Sequence, residues 1–325
     1  MIDKSRKRHF LRAGRNKIEM DWGENPMIEE HAPRAIALGY FDGVHRGHQA
    51  LMERAVQRAK EIGGISSVFT FDQHPSSAMS GIPVPMLTAH GGRADEIKRL
   101  GGVDEVIFGH FDEHLRTMDW RDFIHELLIG RFHAKYIISG HNNRFGYKGL
   151  GTPEGMAEEC AKAGIGYDCI PDVKIDGIVV SSTYIRQLIA QGEMERAARF
   201  LGHPYTITGV VAHGRKVGRT LGVPTVNLPL PPEMALPPYG VYATRVIVDG
   251  EAHLAATNIG VKPTFVDGGG PTIEPHLLDF NGDLYGKLIH VELHKFLRPE
   301  RAFESVDALK AAIEENVHQT RAFFA

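Results

Sequence analysis

The stretch Leu38-Gly39-Tyr40-Phe41-Asp42-Gly43-Val44-His45-Arg46-Gly47-His48 decides how the chain folds. Just before it, Ala35-Ile36-Ala37-Leu38 is a short apolar run ending at glycine, which predicts a buried strand. Just after it, Leu51, Met52, Ala55, Val56 and Ala59 recur at helical spacing between Gln49 and Ile62. A strand that passes through a glycine-bearing loop into a helix presents backbone N–H groups at the helix N-terminus. Those groups attract phosphate, and glycine lets a nucleotide approach the backbone closely. His45 and His48 are therefore candidate catalytic groups, two imidazoles able to stabilise charge developing at an α-phosphate. Gly39, Phe41, Asp42 and Gly43 are candidate nucleotide-binding positions. The tetrapeptide alone says little; its strand–loop–helix setting gives it meaning.

Outward from this loop the alternation continues. Ile65–Phe71 predicts a second strand, followed by an amphipathic segment near Arg93–Leu100 and a strand at Glu105–Phe108. A helix near Arg121–Gly130 and a strand at Tyr136–Ser139 come next. Strands alternating with helices predict βαβ units and a mainly parallel sheet, whose ligands lie beyond the carboxyl ends of the strands. Ser181-Ser182-Thr183-Tyr184-Ile185-Arg186 offers hydroxyls at a helix start and a cation one turn in. Such a cluster either caps the helix or binds phosphate. Ser182 to Leu201 reads as one helix, stopped by Gly202-His203-Pro204.

Beyond residue 200 the character changes. Tyr205–Val211, Gly240–Val248, His253–Ile259, Thr272–Phe280 and Leu288–Leu293 are short β-type runs among Gly and Pro. They predict a small antiparallel barrel or sandwich, with a last helix over Val306–Phe324. The chain has 325 residues, enough for two domains, with 42% hydrophobic and 24% charged residues. Its 37 basic and 40 acidic residues give a formal charge of −3, which argues against nucleic acid held by bulk electrostatics. The two cysteines, Cys160 and Cys169, fit no metal or redox spacing and point to a reduced, cytoplasmic protein. No apolar run is long enough to span a bilayer, and Met20–Asn25 is polar where a secretory signal would be apolar. His110 and His114 lack the order of a zinc helix, and Asp172, Asp176 and Glu193 form no carboxylate pair.

Between His213 and Asn227 lies a second motif, with three glycines and three cationic side chains ending in Pro-Thr-Val-Asn. It lacks the spacing of a P-loop. Gly214, Gly218 and Gly222 permit a backbone cradle for phosphates, to which Lys216 and Arg219 add charge. Thr225 and Asn227 supply hard oxygen ligands suited to Mg²⁺.

Three stretches, Gly39–His48, Thr70-Phe71-Asp72-Gln73-His74-Pro75 and Ser181–Arg186, resemble the adenylyltransferase half of the prokaryotic bifunctional riboflavin kinase/FAD synthetases. The segment from His213 to Asn227 is similar to the riboflavin kinase motif, with Val226 where alanine is usual. Gly240–Ala243, Asn258–Phe265, Glu274–Phe280 and Leu284–Gly286 extend that likeness. The resemblance implies an N-terminal Rossmann-like nucleotidyltransferase domain and a C-terminal flavokinase-type β-barrel with a terminal helix. It divides the chain into an extension at 1–33, an adenylyltransferase domain at 34–187, a linker helix at 188–203 and a kinase domain at 204–325.

It further implies that His45, His48 and Arg186 serve adenylyl transfer and that Ser181, Ser182 and Thr183 bind ATP or the outgoing pyrophosphate. Glu274 becomes the general base of the kinase, and Arg298 helps to seat flavin or nucleotide. Ser139–Gly146 stands where the family has Gly-x-Asp/Asn-Phe-x-Phe-Gly; Asn142 and Phe145 match, while Asn143 replaces the first aromatic residue. The implied substrates are riboflavin, FMN and ATP with Mg²⁺, the implied state a monomer or weak homo-oligomer without nucleic-acid or membrane partners. Alternatives are a kinase with an impaired adenylyltransferase domain, a non-catalytic flavin binder, and a generic nucleotidyltransferase, which leaves the second domain unexplained.

Overall fold

The computed structural model describes residues 17–20, 32–212, 225–261 and 270–325, the first four by their backbone alone. Contacts divide them into two compact units. The first holds the described residues up to Tyr40 together with Leu51–Gln73 and Ile97–Ile170; the second holds Phe41–Ala50, His74–Glu96 and the described residues from Pro171 onward.

The first unit is built on six parallel strands: β1 (Lys17–Met20), β2 (Arg34–Leu38), β3 (Ile65–Phe71), β4 (Glu105–Gly109), β5 (Ala134–Gly140) and β6 (Gly166–Ile170). Their order is β1-β4-β3-β2-β5-β6, and every neighbouring pair is parallel. All five residues of β2 are buried, as expected of a central parallel strand covered on both faces. Succession runs one way from β2 to β4 and the other way from β5 to β6. The reversal falls between β2 and β5, the position at which such sheets bind nucleotides. The apolar core gathers Ile36, Phe69, Ile107, Phe123, Phe132, Ile137 and their neighbours.

Three features of this unit differ from the sequence expectation. The segment read as an N-terminal extension contributes β1, paired with β4. Phe123–Arg131, expected as an ordinary helix, winds as a π-helix. A helix at Pro153–Ala163, capped by Thr152, and the edge strand β6 complete the alternation without having stood out as apolar runs.

The second unit carries helix α1 (Arg46–Ile62) at its first turn, α2 (Ser182–Ala190), α3 (Met194–Leu201) and an antiparallel sheet. The helix expected over Ser182–Leu201 is broken between Ala190 and Met194. Gly192 there adopts φ +78°, a left-handed turn that glycine enters without steric cost. After the small hairpin of β7 (Lys174–Ile175) and β8 (Ile178–Val179), the strands are β9 (Tyr205–Val210), β10 (Leu228–Pro229), β11 (Gly240–Val248), β12 (Glu251–Val261), β13 (Pro271–Leu277) and β14 (Leu288–Pro299). Their order is β10-β13-β12-β11-β14-β9, and a bridge between Ala212 and Asn227 nearly closes the barrel. β13 stops at Leu277, short of the expected Phe280, and the chain turns at Asp279 with φ +55°. The terminal helix α4 (Val306–Phe324), capped by Ser305, packs on β11 and β12. Among the described residues no helix is long and apolar enough to cross a membrane.

Candidate active sites

At the carboxyl ends of β2 and β5 the first unit places Gly39, whose N–H donates to the Phe69 carbonyl, and the turn Ser139–Gly146. Asn142 is exposed there. Phe145 is half-buried: its ring meets Phe123 at 5.6 Å and Trp120 at 6.3 Å, and its backbone pairs with Gly151. A side chain at Gly151 would come within 2.6 Å of that ring, so glycine lets Phe145 lie down against the core. Asn143 donates its backbone N–H to Gly140 and closes the turn.

Within the second unit the loop from Phe41 to His48 is tightly held. Phe41, Gly43 and Val44 all have positive φ, 58°, 78° and 39°. For Phe41 and Val44 this costs about 1–3 kcal/mol each and persists only where surroundings over-determine the backbone. They do so here. The Phe41 carbonyl accepts from Val44 N–H, that of Asp42 from the Ser182 hydroxyl at 3.0 Å, and that of Gly43 from a ring nitrogen of His203 at 3.0 Å. The Val44 carbonyl accepts from the Gln49 amide at 2.8 Å and that of His45 from Gln49 N–H. With these carbonyls engaged, the amides of His45, Arg46 and Gly47, at the start of α1, have no protein acceptor among the described residues. That is the arrangement of an anion site.

Asp42 is buried under the loop. Its Oδ1 accepts from the amides of Leu87 at 2.8 Å and Thr88 at 3.1 Å, and its Oδ2 meets Arg186 Nη2 at 2.6 Å. Burial pushes its carboxyl above the ordinary aspartate range, opposed by Arg186 and the two amides. Arg186 also donates to the Pro85 carbonyl, while Ser181 caps α2 by accepting from Tyr184 N–H at 3.3 Å. Thr183 is exposed beside them. The structure thus brings together Phe41, Asp42, Gly43, His45, His48, Ser181, Ser182 and Arg186, and adds Pro85–Thr88 and His203, which sequence spacing gave no reason to select.

The two histidines stack, with ring centroids 3.6 Å apart and 12° between planes. Burial lowers His45 to about 4 and His48 well below the usual histidine value, so both rings are neutral near pH 7. His45 Nδ1 accepts the His48 N–H, which leaves its proton on Nε2. A neutral ring with a fixed N–H is a hydrogen-bond donor to phosphate rather than a counter-charge. The fixed positive groups beside the rings are the helix N-terminus and Arg186, the latter paired with Asp42.

The barrel holds the second constellation. Along β13 the buried residues are Ile273, Pro275 and Leu277, so the two-residue period turns Glu274 and His276 to the other face. Register then lines up Glu274 with Asn258, Asn258 with Val241, and Val241 with Arg298 across four strands. This row borders a cavity of about 610 Å³ that α4 closes with Asn316 and Ile313. Glu274 accepts from the Thr272 hydroxyl at 3.3 Å. Arg298 donates to Asn316 at 3.1 Å and lies 5.4 Å from the Phe303 ring centroid. A second cavity of about 400 Å³, bordered by Phe280, Asn281, Asp283 and Tyr285, shares Thr225 with the first. Asn227 fixes the barrel seam by accepting from Ala212 N–H at 2.8 Å. Gly214, Lys216, Gly218, Arg219 and Gly222 lie outside the described residues. Asn258 and Phe280 sit in stretches that carried the family likeness, whereas Asn316 had no signal beyond a helical position.

Two family models match successive parts of the chain: FAD synthetase over residues 27–184 and riboflavin kinase over residues 201–324. The bifunctional riboflavin kinase/FMN adenylyltransferase of Listeria monocytogenes is 37% identical over 294 residues, covering 90% of this chain and 93% of the relative. The enzyme of the same name from Pseudomonas fluorescens is 36% identical over 305 residues, covering 93% and 97%. A crystal structure described as a macrolide-efflux protein from Streptococcus pneumoniae superimposes with TM-score 0.83 at 30% identity, over 94% of this chain and 98% of that one. By both halves and over nearly its whole length, the chain belongs to the bifunctional riboflavin kinase/FMN adenylyltransferase family.

Proposed function

We propose that the chain phosphorylates the 5′-hydroxyl of riboflavin with ATP and then transfers the AMP part of a second ATP to the FMN formed, releasing pyrophosphate. Residues 34–187 serve adenylyl transfer, residues 204–325 the kinase step, and residues 188–203 join them. The observation that carries the kinase half is Thr225, which borders both barrel cavities, one of them also lined by Glu274. The larger cavity lies within the roughly 300–1,000 Å³ common for small-molecule sites. It takes the flavin, with Arg298 seating it, and the smaller one takes ATP. Glu274 accepts the hydroxyl proton as the oxygen attacks the γ-phosphorus, and ADP leaves.

Among the described residues no three His, Cys, Asp or Glu side chains converge as a metal cage. Thr225 and Asn227 offer neutral oxygens, a donor set that fits Mg²⁺ arriving on ATP, since this ion keeps phosphate and water ligands. When bound, it neutralises charge on the β- and γ-phosphates.

For the second step, His45 and His48 donate to the α-phosphate as the FMN phosphate attacks. Ser182, Thr183 and Arg186 hold the departing pyrophosphate, Asn142 helps to bind the nucleotide or its metal, and Phe145 serves the flavin. The tightly held loop with its unpaired amides supports this assignment. The partners are riboflavin, FMN and MgATP in the cytoplasm. Incubation with riboflavin, ATP and Mg²⁺, followed by chromatography, should show FMN and then FAD. FMN without FAD would confine the function to the kinase, and unchanged riboflavin would remove both.

A further inference from the structure

We propose that His203 is a positioning residue for adenylyl transfer: it donates to the Gly43 carbonyl and so fixes the loop that presents His45 and His48. The inference rests on the adenylyltransferase reading above. His203 lies two residues ahead of β9, in the segment that leads into the kinase barrel, and nothing in its spacing connects it with the histidine loop.

The loop needs external restraint, because Phe41, Gly43 and Val44 all hold positive φ within four residues. Four of the five carbonyls from Phe41 to His45 are held from within the loop, by α1 or by Ser182. Gly43 is the exception. Its carbonyl meets His203 Nε2 at 3.0 Å, with His203 Nδ1 2.9 Å from the Pro204 oxygen. Gly43 N–H, on the other side of the same residue, donates to the Thr88 hydroxyl at 3.2 Å. Gly43 itself cannot gain a side chain, for a Cβ would stand 2.6 Å from Leu87.

The residues just before His203 grip the same loop. The Arg199 carbonyl accepts from Arg46 Nε at 3.0 Å, and the Leu201 carbonyl from the Gln49 amide at 2.9 Å. The C-terminus of α3 thereby satisfies its free carbonyls with side chains from the first turn of α1. Gly202, at φ +86°, turns the chain between these contacts; a Cβ there would lie 3.0 Å from the Gln49 amide. Of residues 199–203, only His203 hydrogen-bonds the loop backbone with its side chain. Losing that donor leaves the Gly43–Val44 peptide held only through the Val44 N–H and lets His45 and His48 drift from the α-phosphate, a transition-state effect more than a binding effect.

The test compares wild type, His203→Ala and His203→Gln in two assays, FAD formation from supplied FMN and FMN formation from riboflavin. Glutamine keeps an N–H donor at nearly the reach of Nε2. His203→Ala should lower kcat for FAD formation by about 10- to 100-fold, with a much smaller change in KM for ATP. His203→Gln should restore most of the rate. FMN formation, read on the same preparations, should stay at the wild-type level and reports that the barrel is folded. A wild-type rate in His203→Ala would overturn the proposal, as would equal loss in both variants or a parallel fall in FMN formation. A wild-type protein that makes FMN but no FAD would instead remove the adenylyltransferase reading, and this inference with it.

Discussion

Arg186 and Asp42 form a buried ion pair, Nη2 to Oδ2 at 2.6 Å, with the carboxylate side chain only 2% exposed. The Pro85 carbonyl holds Nε of the same guanidinium, so a cation one turn into α2 is fixed beside the histidine loop by protein groups alone.

Asp42→Ala should therefore damage more than a local contact. Removing one partner of a buried pair leaves the other charge uncompensated, at a cost of about 3–5 kcal/mol. The Leu87 and Thr88 amides lose their acceptor as well. Urea unfolding should show a loss of that order, and FAD formation should collapse while folded protein still makes FMN. A variant as stable and as active as wild type in both assays would refute the pairing.

The depressed His45 value predicts a pH-dependent stability. In the unfolded chain histidine titrates near 6.5, whereas burial holds the folded ring to about 4. Between these values the unfolded chain binds more protons than the native one, so stability falls as pH drops through this window. The full effect of His45 is on the order of 3 kcal/mol, and His48 acts in the same direction. Denaturant unfolding at pH 7.5 and 4.5 should show a markedly smaller pH loss for His45→Gln than for wild type. Equal losses would place the proton uptake elsewhere.

Thr225 makes a separate prediction for the kinase half. Because it borders both cavities, Thr225→Val should lower FMN formation by about 10- to 100-fold. The need for Mg²⁺ should rise, since one oxygen ligand is gone. FAD formation from supplied FMN should not change. Titrating Mg²⁺ in both assays checks this.

Much of this was legible in the sequence because local signals and tertiary structure agree. Ala35–Leu38 is apolar enough to mark a central strand, and Ser181 caps a helix as its spacing suggests. The alternation that turns Glu274 away from the barrel core is likewise visible in Ile273, Pro275 and Leu277. What escaped had weak local contrast or depended on remote partners. β6 is an edge strand without a fully buried residue, and β1 exists by pairing with β4. The helix break at Gly192 hid inside an otherwise helical pattern. Arg186 read as a phosphate ligand from its distance to the helix start; its ion pair with Asp42 spans 144 positions, which no local pattern can convey. His203 was legible as part of a helix stop and illegible as a partner of Gly43.

The separation of two active sites on one chain is tested most directly by Glu274→Gln and His48→Ala, each assayed for FMN formation and for FAD formation from supplied FMN. Loss of a general base typically costs about 10²–10⁴-fold. Glu274→Gln should lose FMN formation on that scale and keep its FAD rate, and His48→Ala should do the reverse. If either substitution lowers both activities together in folded protein, the two-site assignment is wrong.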